Sequence, residues 1–363
     1  MTDILPFLKS LLSVSGLSAY EGPAARLIEA RWRLLVDELH VSRLGSLHGL
    51  KRGTRSASKR AARKARPSIL IATHMDTIGL MVKKIVDGFL YVANVGGVDA
   101  RVLPGTPVLV HATGVGGPRE LPGVVVMPPA KLLPEISGER EILLSNLLVD
   151  TGLPETQVSK RVHVGDVISF NTEPIEMSGG TVSGHSLDNR ASVAALTICL
   201  EELSSRSHFW DVWAAATTQE EVTLGGAATS AFQLRPSIAV VVDTTFAKGP
   251  GANGWETFPM GKGITIGLGP NTHPFLHNCL KELAVRLEIP YAVEPMPKHS
   301  GTDADAVQIA AEGVPTVVVE IPLRYMHTPV EMIALNDVQR MGRLLAEFVA
   351  MLEPDFVDQL AWD

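Results

Sequence analysis

The chain has 363 residues, 45% apolar and 20% charged, with a formal net charge of −7, the balance of an ordinary globular protein with room for two or three domain-sized units. No apolar run reaches the roughly 18 residues of a membrane span, which excludes a helical membrane protein. Cys199 and Cys279 are too few and too far apart for a disulfide framework, so a reducing, cytoplasmic setting is expected.

The opening stretch MTDILPFLKSLLSVSGLSAY has no basic segment ahead of its apolar residues and reads as a short amphipathic helix over residues 4–12, not a signal peptide. A second helix is expected over 23–35 and a strand over 40–44. Residues 51–66, KRGTRSASKRAARKAR, carry eight basic side chains and no acidic one; without them the charge would be −7 − 8 = −15. Such a run can bind an anion. It has no aromatic residue for base stacking, and it reads as a solvated, partly disordered loop with no nucleic-acid partner. The apolar strand SILIATH follows and ends on His74.

From residue 78 to 177 the rhythm changes. LMVKKIVDGFLYVANVGG, TPVLVHAT, LPGVVVM and KRVHVGDVISF are short strands broken by Gly, Pro and Asp. They predict a small β-barrel inserted into the chain, with a helix only around 146–152. From residue 178, helices over 190–203, 224–234, 274–287, 303–312 and 338–351 alternate with apolar strands over 212–217, 238–242 and 316–320. This alternation predicts an α/β fold, a mainly parallel sheet covered by helices on both faces. Residues 1–77 and 178–363 together would form it.

Several polar residues stand where that architecture places ligand sites, outside the carboxyl ends of strands. His74 and Asp76 in ATHMDTIGL share a face if the chain stays extended, and a carboxylate beside an imidazole can fix its tautomer. Alone, the pair equally suits a satisfied histidine and a capping aspartate. Asp188 in SGHSLDNRAS stands at a loop-to-helix junction, where an ordinary N-cap is also common. Arg190 could neutralise nearby acid. Glu220 and Glu221 follow the strand over 212–217, Asp243 closes IAVVVDTT, and His327 follows PTVVVEIP by a short loop. Two imidazoles and at least three carboxylates cannot share one crevice in their charged forms without a cation. Mixed His and carboxylate ligands without thiolates suit Zn2+, Co2+ or Mn2+.

THMDTIGLMV, LDNRAS, TTQEEVTLGGA, VVDTT, SGTDADAVQIA and PLRYMHTPVEM occur in this order along the chain. Together they resemble the tetrahedral aminopeptidases, metallopeptidase family forty-two, over nearly the whole length. The resemblance implies a phosphorylase/hydrolase-like catalytic domain, a PDZ-like insert at 78–177 for dimerisation, and dimers assembling into a tetrahedral dodecamer. It implies removal of N-terminal residues from peptides by two divalent metal ions, Zn2+ or Co2+, with Mn2+ as a third option. Asp188 would bridge the metals, His74 and Asp243 would complete one site, and Glu221 with His327 the other. Glu220 would be the general base and Asp76 the partner that orients His74. Thr77 stands where the family usually has Glu, and Thr223 and Gly225 where it has Gly and Arg, which bears on the pocket rather than on the metals. The rival readings are a related di-metal amidohydrolase (a carboxypeptidase or a deacylase of N-acyl amino acids) and a non-catalytic binding shell of the same fold.

Overall fold

The computed structural model describes residues 3–55, 66–117, 119–128 and 142–361; the centre of the basic run, residues 56–65, lies outside them. Its flanks are held: the Arg55 guanidinium donates twice to Glu353, at 2.8 and 2.9 Å, and Arg66 donates to the carbonyls of Gly53 and Phe209.

The chain begins with helices α1 (Leu5–Leu12) and α2 (Gly22–Trp32), each with a proline in its first turn, where the missing amide donor costs nothing. A hairpin of β1 (Glu38–Val41) and β2 (Leu47–Lys51) leads into β3 (Ser68–His74). Then β4 (Gly79–Val86), β5 (Phe89–Val95), β6 (Pro107–His111), β7 (Glu120–Val126), β8 (Leu148–Asp150) and β9 (Val167–Phe170) close into a barrel in the order β4-β5-β8-β7-β6-β9. Helix α3 (Glu155–Arg161) runs between β8 and β9. Alternate strand residues such as Leu80, Val82, Val108, Val110 and Ile168 fill the barrel.

The chain then re-enters the larger sheet. Its elements are β10 (Ile175–Met177), β11 (Thr181–Gly184), α4 (Leu187–Leu203), β12 (Asp211–Thr217), α5 (Glu220–Thr223), α6 (Gly225–Leu234), β13 (Ile238–Phe246) and β14 (Ile264–Leu268). After them come α7 (Pro274–Arg286), β15 (Tyr291–Pro295), α8 (Ala304–Gln308), β16 (Thr316–Arg324), β17 (Glu331–Ala334) and α9 (Leu335–Met351). The 11-stranded sheet runs β1-β2-β12-β3-β13-β16-β17-β11-β10, with β14 and then β15 attached to β16.

The sheet has two covered faces because its central strands alternate. Ile69 and Ile71 of β3 pack into the core shared with α1, α4 and α9, whereas Leu70 and Ala72 meet Ala227 and Ala231 of α6 and Ala304 and Val307 of α8. The small residues of α4 let it sit wholly inside, with residues 187–200 all buried.

The α/β class and the closed barrel match the expectation, but the sheet is mixed. Strands β12, β3, β13 and β16 run parallel at its centre, as do β14 and β15. The margins are antiparallel, because β1–β2, β10–β11 and β16–β17 are joined by short returns that cannot cross over. The helix expected over 146–152 is instead the strand β8, and the helix lies later, over α3. The strand expected over 40–44 is the first half of a hairpin displaced towards residue 38. Strand β10 pairs with β11 of the large sheet, although the sequence reading carried the inserted segment to Met177.

Candidate metal centre

Parallel strands end together, so their last side chains meet at one edge. His74 is the last residue of β3, and Thr217, its Cα partner, ends β12. The next turn, α5, carries Glu220 and Glu221. Asp243 lies on β13 opposite Glu320 of β16. Asp188 stands at the start of α4 with non-helical backbone (φ −79°, ψ 106°), and His327 follows β16.

These residues converge into two groups that share Asp188. His74, Asp188 and Asp243 offer ligand atoms within 4.8 Å of one another, and so do Asp188, Glu221 and His327. His74 Nε2 lies 3.2 Å from Asp188 Oδ1 and 3.6 Å from Asp243 Oδ1. His327 Nε2 lies 3.4 Å from Asp188 Oδ2 and 3.5 Å from Glu221 Oε2. Glu220 belongs to neither group, with Oε2 at 3.8 Å from His74 Nε2. All the sequence-predicted ligands are therefore brought together, with Glu220 beside them.

Asp76 acts differently from the expectation that its carboxylate orients His74. The main-chain carbonyl of Asp76 lies 3.0 Å from His74 Nδ1, and its carboxylate is 3.7 Å away. A carbonyl only accepts, so Nδ1 carries the proton and Nε2 is the nitrogen free for a cation. The Asp76 carboxylate accepts from the amides of Glu220 (3.0 Å) and Glu221 (3.2 Å) and from the Ser18 hydroxyl (2.6 Å). Arg190 donates to the carbonyls of Leu11 and Val14, with Asp76 and Glu331 as its nearby acidic groups.

Sequence reasoning missed Glu331. Glu331 is 1% exposed, and its carboxylate accepts from the amides of Asp188 (3.0 Å) and His327 (2.9 Å), fixing the candidate ligand that both groups share and a candidate of the second group. An acid inside the apolar segment PVEMIA was the available signal. Glu21 likewise accepts from the Gln219 amide, 3.2 Å away, just before the glutamate pair. Backbone in the left-handed region precedes or carries three of the candidate ligands: Ser186 (φ 64°), Gln219 (φ 60°) and His327 (φ 62°). Non-glycine residues there cost about 1–3 kcal/mol each and persist where the surroundings impose them. The barrel also reaches the centre. A Cβ on Gly97 would come within 2.7 Å of His327 Nδ1, so only glycine lets this loop pack against the imidazole.

The electrostatics are those of an excess of buried acid. Burial opposes the imidazolium of His74, but Glu220, Asp188 and Asp243 raise its pKa well above 6.5. Burial and then Asp188 hold Glu221 well above the usual carboxylate range. Burial pushes Glu220 up to about 9, with His74 opposing and Asp243 adding to it. Asp188 Oδ1 and Glu221 Oε1 are buried without a hydrogen-bond partner among the described residues. Two orphaned carboxylate oxygens beside imidazoles, with no thiolate, fit divalent cations.

Strand-end imidazoles and carboxylates in two groups around a shared aspartate, on a mixed α/β sheet, define a hydrolase of the metallopeptidase class. The chain belongs to the M42 peptidase family: the family model described as M42 glutamyl aminopeptidase matches residues 53–344. It is accordingly a metal-dependent aminopeptidase. It is similar to a lysyl aminopeptidase of Pyrococcus furiosus, 32% identical over 96% of this chain and 97% of that one. A TET aminopeptidase from a marine-sediment Thaumarchaeota archaeon superimposes with a TM-score of 0.88 at 26% identity, over 99% of both chains. The TET1 peptidase of Pyrococcus horikoshii, which can assemble into a tetrahedron or a large octahedral shell, gives 0.80 at 26% identity, over 96% of this chain and 100% of that one.

Proposed function

We propose that the chain removes N-terminal residues from peptides with two divalent cations, Zn2+ or Co2+ being the expected metals, and with Glu220 as general base. The observation that carries this is the sharing of Asp188 between two ligand groups while the adjacent Glu220 stays outside both. His74 and Asp243 would hold one cation, Glu221 and His327 the other, and Asp188 both. Cations held there would supply a lowered water pKa and polarisation of the scissile carbonyl. The chain's own part is proton transfer and orientation. Glu220 takes the proton of the attacking water and returns it to the leaving amine. Asp76 fixes the Glu220–Glu221 turn through its amides, and Glu331 fixes Asp188 and His327.

The test compares hydrolysis of peptides with free and N-acetylated termini by metal-loaded protein. Cleavage from the free N-terminus, abolished by a chelator and restored by Co2+ or Zn2+, is expected. Equal cleavage of acetylated peptides would favour a deacylase or an endo-acting enzyme instead. The shell-forming relative supports a homo-oligomer, and we assign the inserted barrel, β4 to β9, to the contacts between copies. The family description names glutamyl substrates and the Pyrococcus furiosus relative is a lysyl aminopeptidase, so membership alone does not assign the preferred side chain.

A further inference from the structure

Helix α5, which carries Glu220 and Glu221, is a single turn bounded by left-handed backbone at Gln219 (φ 60°) and Leu224 (φ 56°). So short a turn has too few internal bonds to hold itself in place. Its first amides are instead captured one by one by buried carboxylates. Gln219 donates to Glu21 Oε1 (3.2 Å), Glu220 to Asp76 Oδ1 (3.0 Å) and Glu221 to Asp76 Oδ2 (3.2 Å). Both carboxylates lead back to residues 13–21, the segment between α1 and α2. Glu21 is its last residue, and the hydroxyl of its Ser18 donates to Asp76 Oδ2 at 2.6 Å.

The segment is fixed in turn. Glu21 Oε1 accepts from the Ala19 amide (2.7 Å) as well as from Gln219, so one oxygen joins the segment to the turn. Ala19 (φ 69°) and Gln219 both hold the left-handed backbone that non-glycine residues avoid, and their amides meet at that oxygen. The Thr77 amide donates to the Gly16 carbonyl at 3.0 Å, beside a bridge between Leu17 and Thr77. Arg190, two residues after Asp188, donates to the carbonyls of Leu11 and Val14. A Cβ on Gly16 would stand 2.3 Å from Arg190 Nη2, so glycine lets the segment close over the buried guanidinium. Residues 13–21 thus run from the helix of Asp188 to the turn of Glu220. None of them belongs to either ligand group or lines the cavity over the centre.

We infer that residues 13–21 form a strap that holds Glu220 in the position of the base, with Glu21 and Ser18 as positioning residues. This rests on the assignment of Glu220 as general base. The strap touches no substrate and acts through the backbone of the turn. A displacement of about 1 Å at a reacting group costs on the order of 10²-fold in rate, so its loss falls on kcat. KM, set by contacts elsewhere in the cavity, stays.

The experiment compares Glu21→Ala, Glu21→Gln and Ser18→Ala in the full chain with two readouts. The first is kcat and KM of metal-loaded protein on an aminoacyl anilide. The second is amide hydrogen exchange over residues 219–221 in metal-free protein, followed by mass spectrometry. Glu21→Gln keeps an oxygen that accepts from both amides and removes only the charge. Glu21→Ala is expected to lower kcat by about 10–100-fold with KM within about twofold, and to speed exchange by about tenfold or more. Glu21→Gln should restore both to within about threefold of the wild type, and Ser18→Ala should show a smaller loss of the same kind. Faster exchange with unchanged kcat, or lowered kcat with unchanged exchange, overturns the proposal. So does a Glu21→Gln as impaired as Glu21→Ala, which would assign the effect to charge. If Glu21→Ala fails to fold, Ser18→Ala decides: unchanged kcat and exchange overturn the strap. A wild type without hydrolysis, whose turn Glu21→Ala still loosens, would reject the base assignment and uphold the strap as the holder of the turn.

Discussion

The main chain of Asp76, not its side chain, faces His74: the carbonyl oxygen is 3.0 Å from Nδ1 and the nearest carboxylate oxygen 3.7 Å. The carboxylate is thereby released to gather three donors, two of them the amides that begin the glutamate turn. Asp76→Ala keeps the contact to His74 and strands those amides, each at a cost of about 1–3 kcal/mol. Loss of thermal stability, with weaker metal binding at the group containing Glu221, is expected from calorimetry and metal titration. Wild-type melting and activity in this variant would show that the turn holds itself.

Glu220→Gln separates proton transfer from metal binding, because Glu220 is outside both ligand groups. Metal content should match the wild type while kcat falls by about 10²–10⁴-fold. A variant that binds metal and turns over normally would return the role of base to another group.

Asp188 and His327 differ in how many groups they serve. Asp188→Ala removes a ligand common to both, so bound metal should disappear from each; His327→Ala should empty only the group with Glu221. Elemental analysis of the two purified variants reads this directly. Equal losses would mean that Asp188 is not shared.

Burial raises Glu220 from 4.5 to about 9, Asp303 from 3.8 to about 7 and Glu21 from 4.5 to about 7. The folded chain then holds these protons more tightly than the unfolded one. Unfolding releases protons across that interval, so stability is greatest at the acidic end and declines as pH rises towards 9. Chelator-treated protein should melt lower at about pH 8.5 than at about pH 6, and bound cations should flatten the difference by balancing the ionised acids. A melting temperature that climbs over this range without metal would contradict the assignment.

Two of the candidate ligands were legible because they close runs of apolar strand residues, as Asp243 closes IAVVV and His74 closes SILIAT; Glu221 and His327 follow such runs by a short turn or loop, and Asp188 stands at a loop-to-helix junction. The residues that hold them were not. Glu331 lies within an apolar segment, and what marks it is a pairing with amides, one of them far away in sequence. Strands β14, β15 and β17 escaped because ITIGL, YAVEP and EMIA are short and interrupted by Gly, Pro or acid, and only the neighbouring strands hold them extended. The parallel centre followed from unbroken apolar runs. The antiparallel margins follow from loop lengths, which hydrophobic pattern does not encode.

In the inserted barrel every strand has two hydrogen-bonded neighbours, from β4 round to β9 and back. A sheet closed in this way has no free edge on which an extended chain could be added. If copies meet through this unit, as proposed, recognition would fall to side chains and loops. Such a contact can be weakened or redirected by exchanging single surface residues, with the ring of backbone hydrogen bonds left as it is.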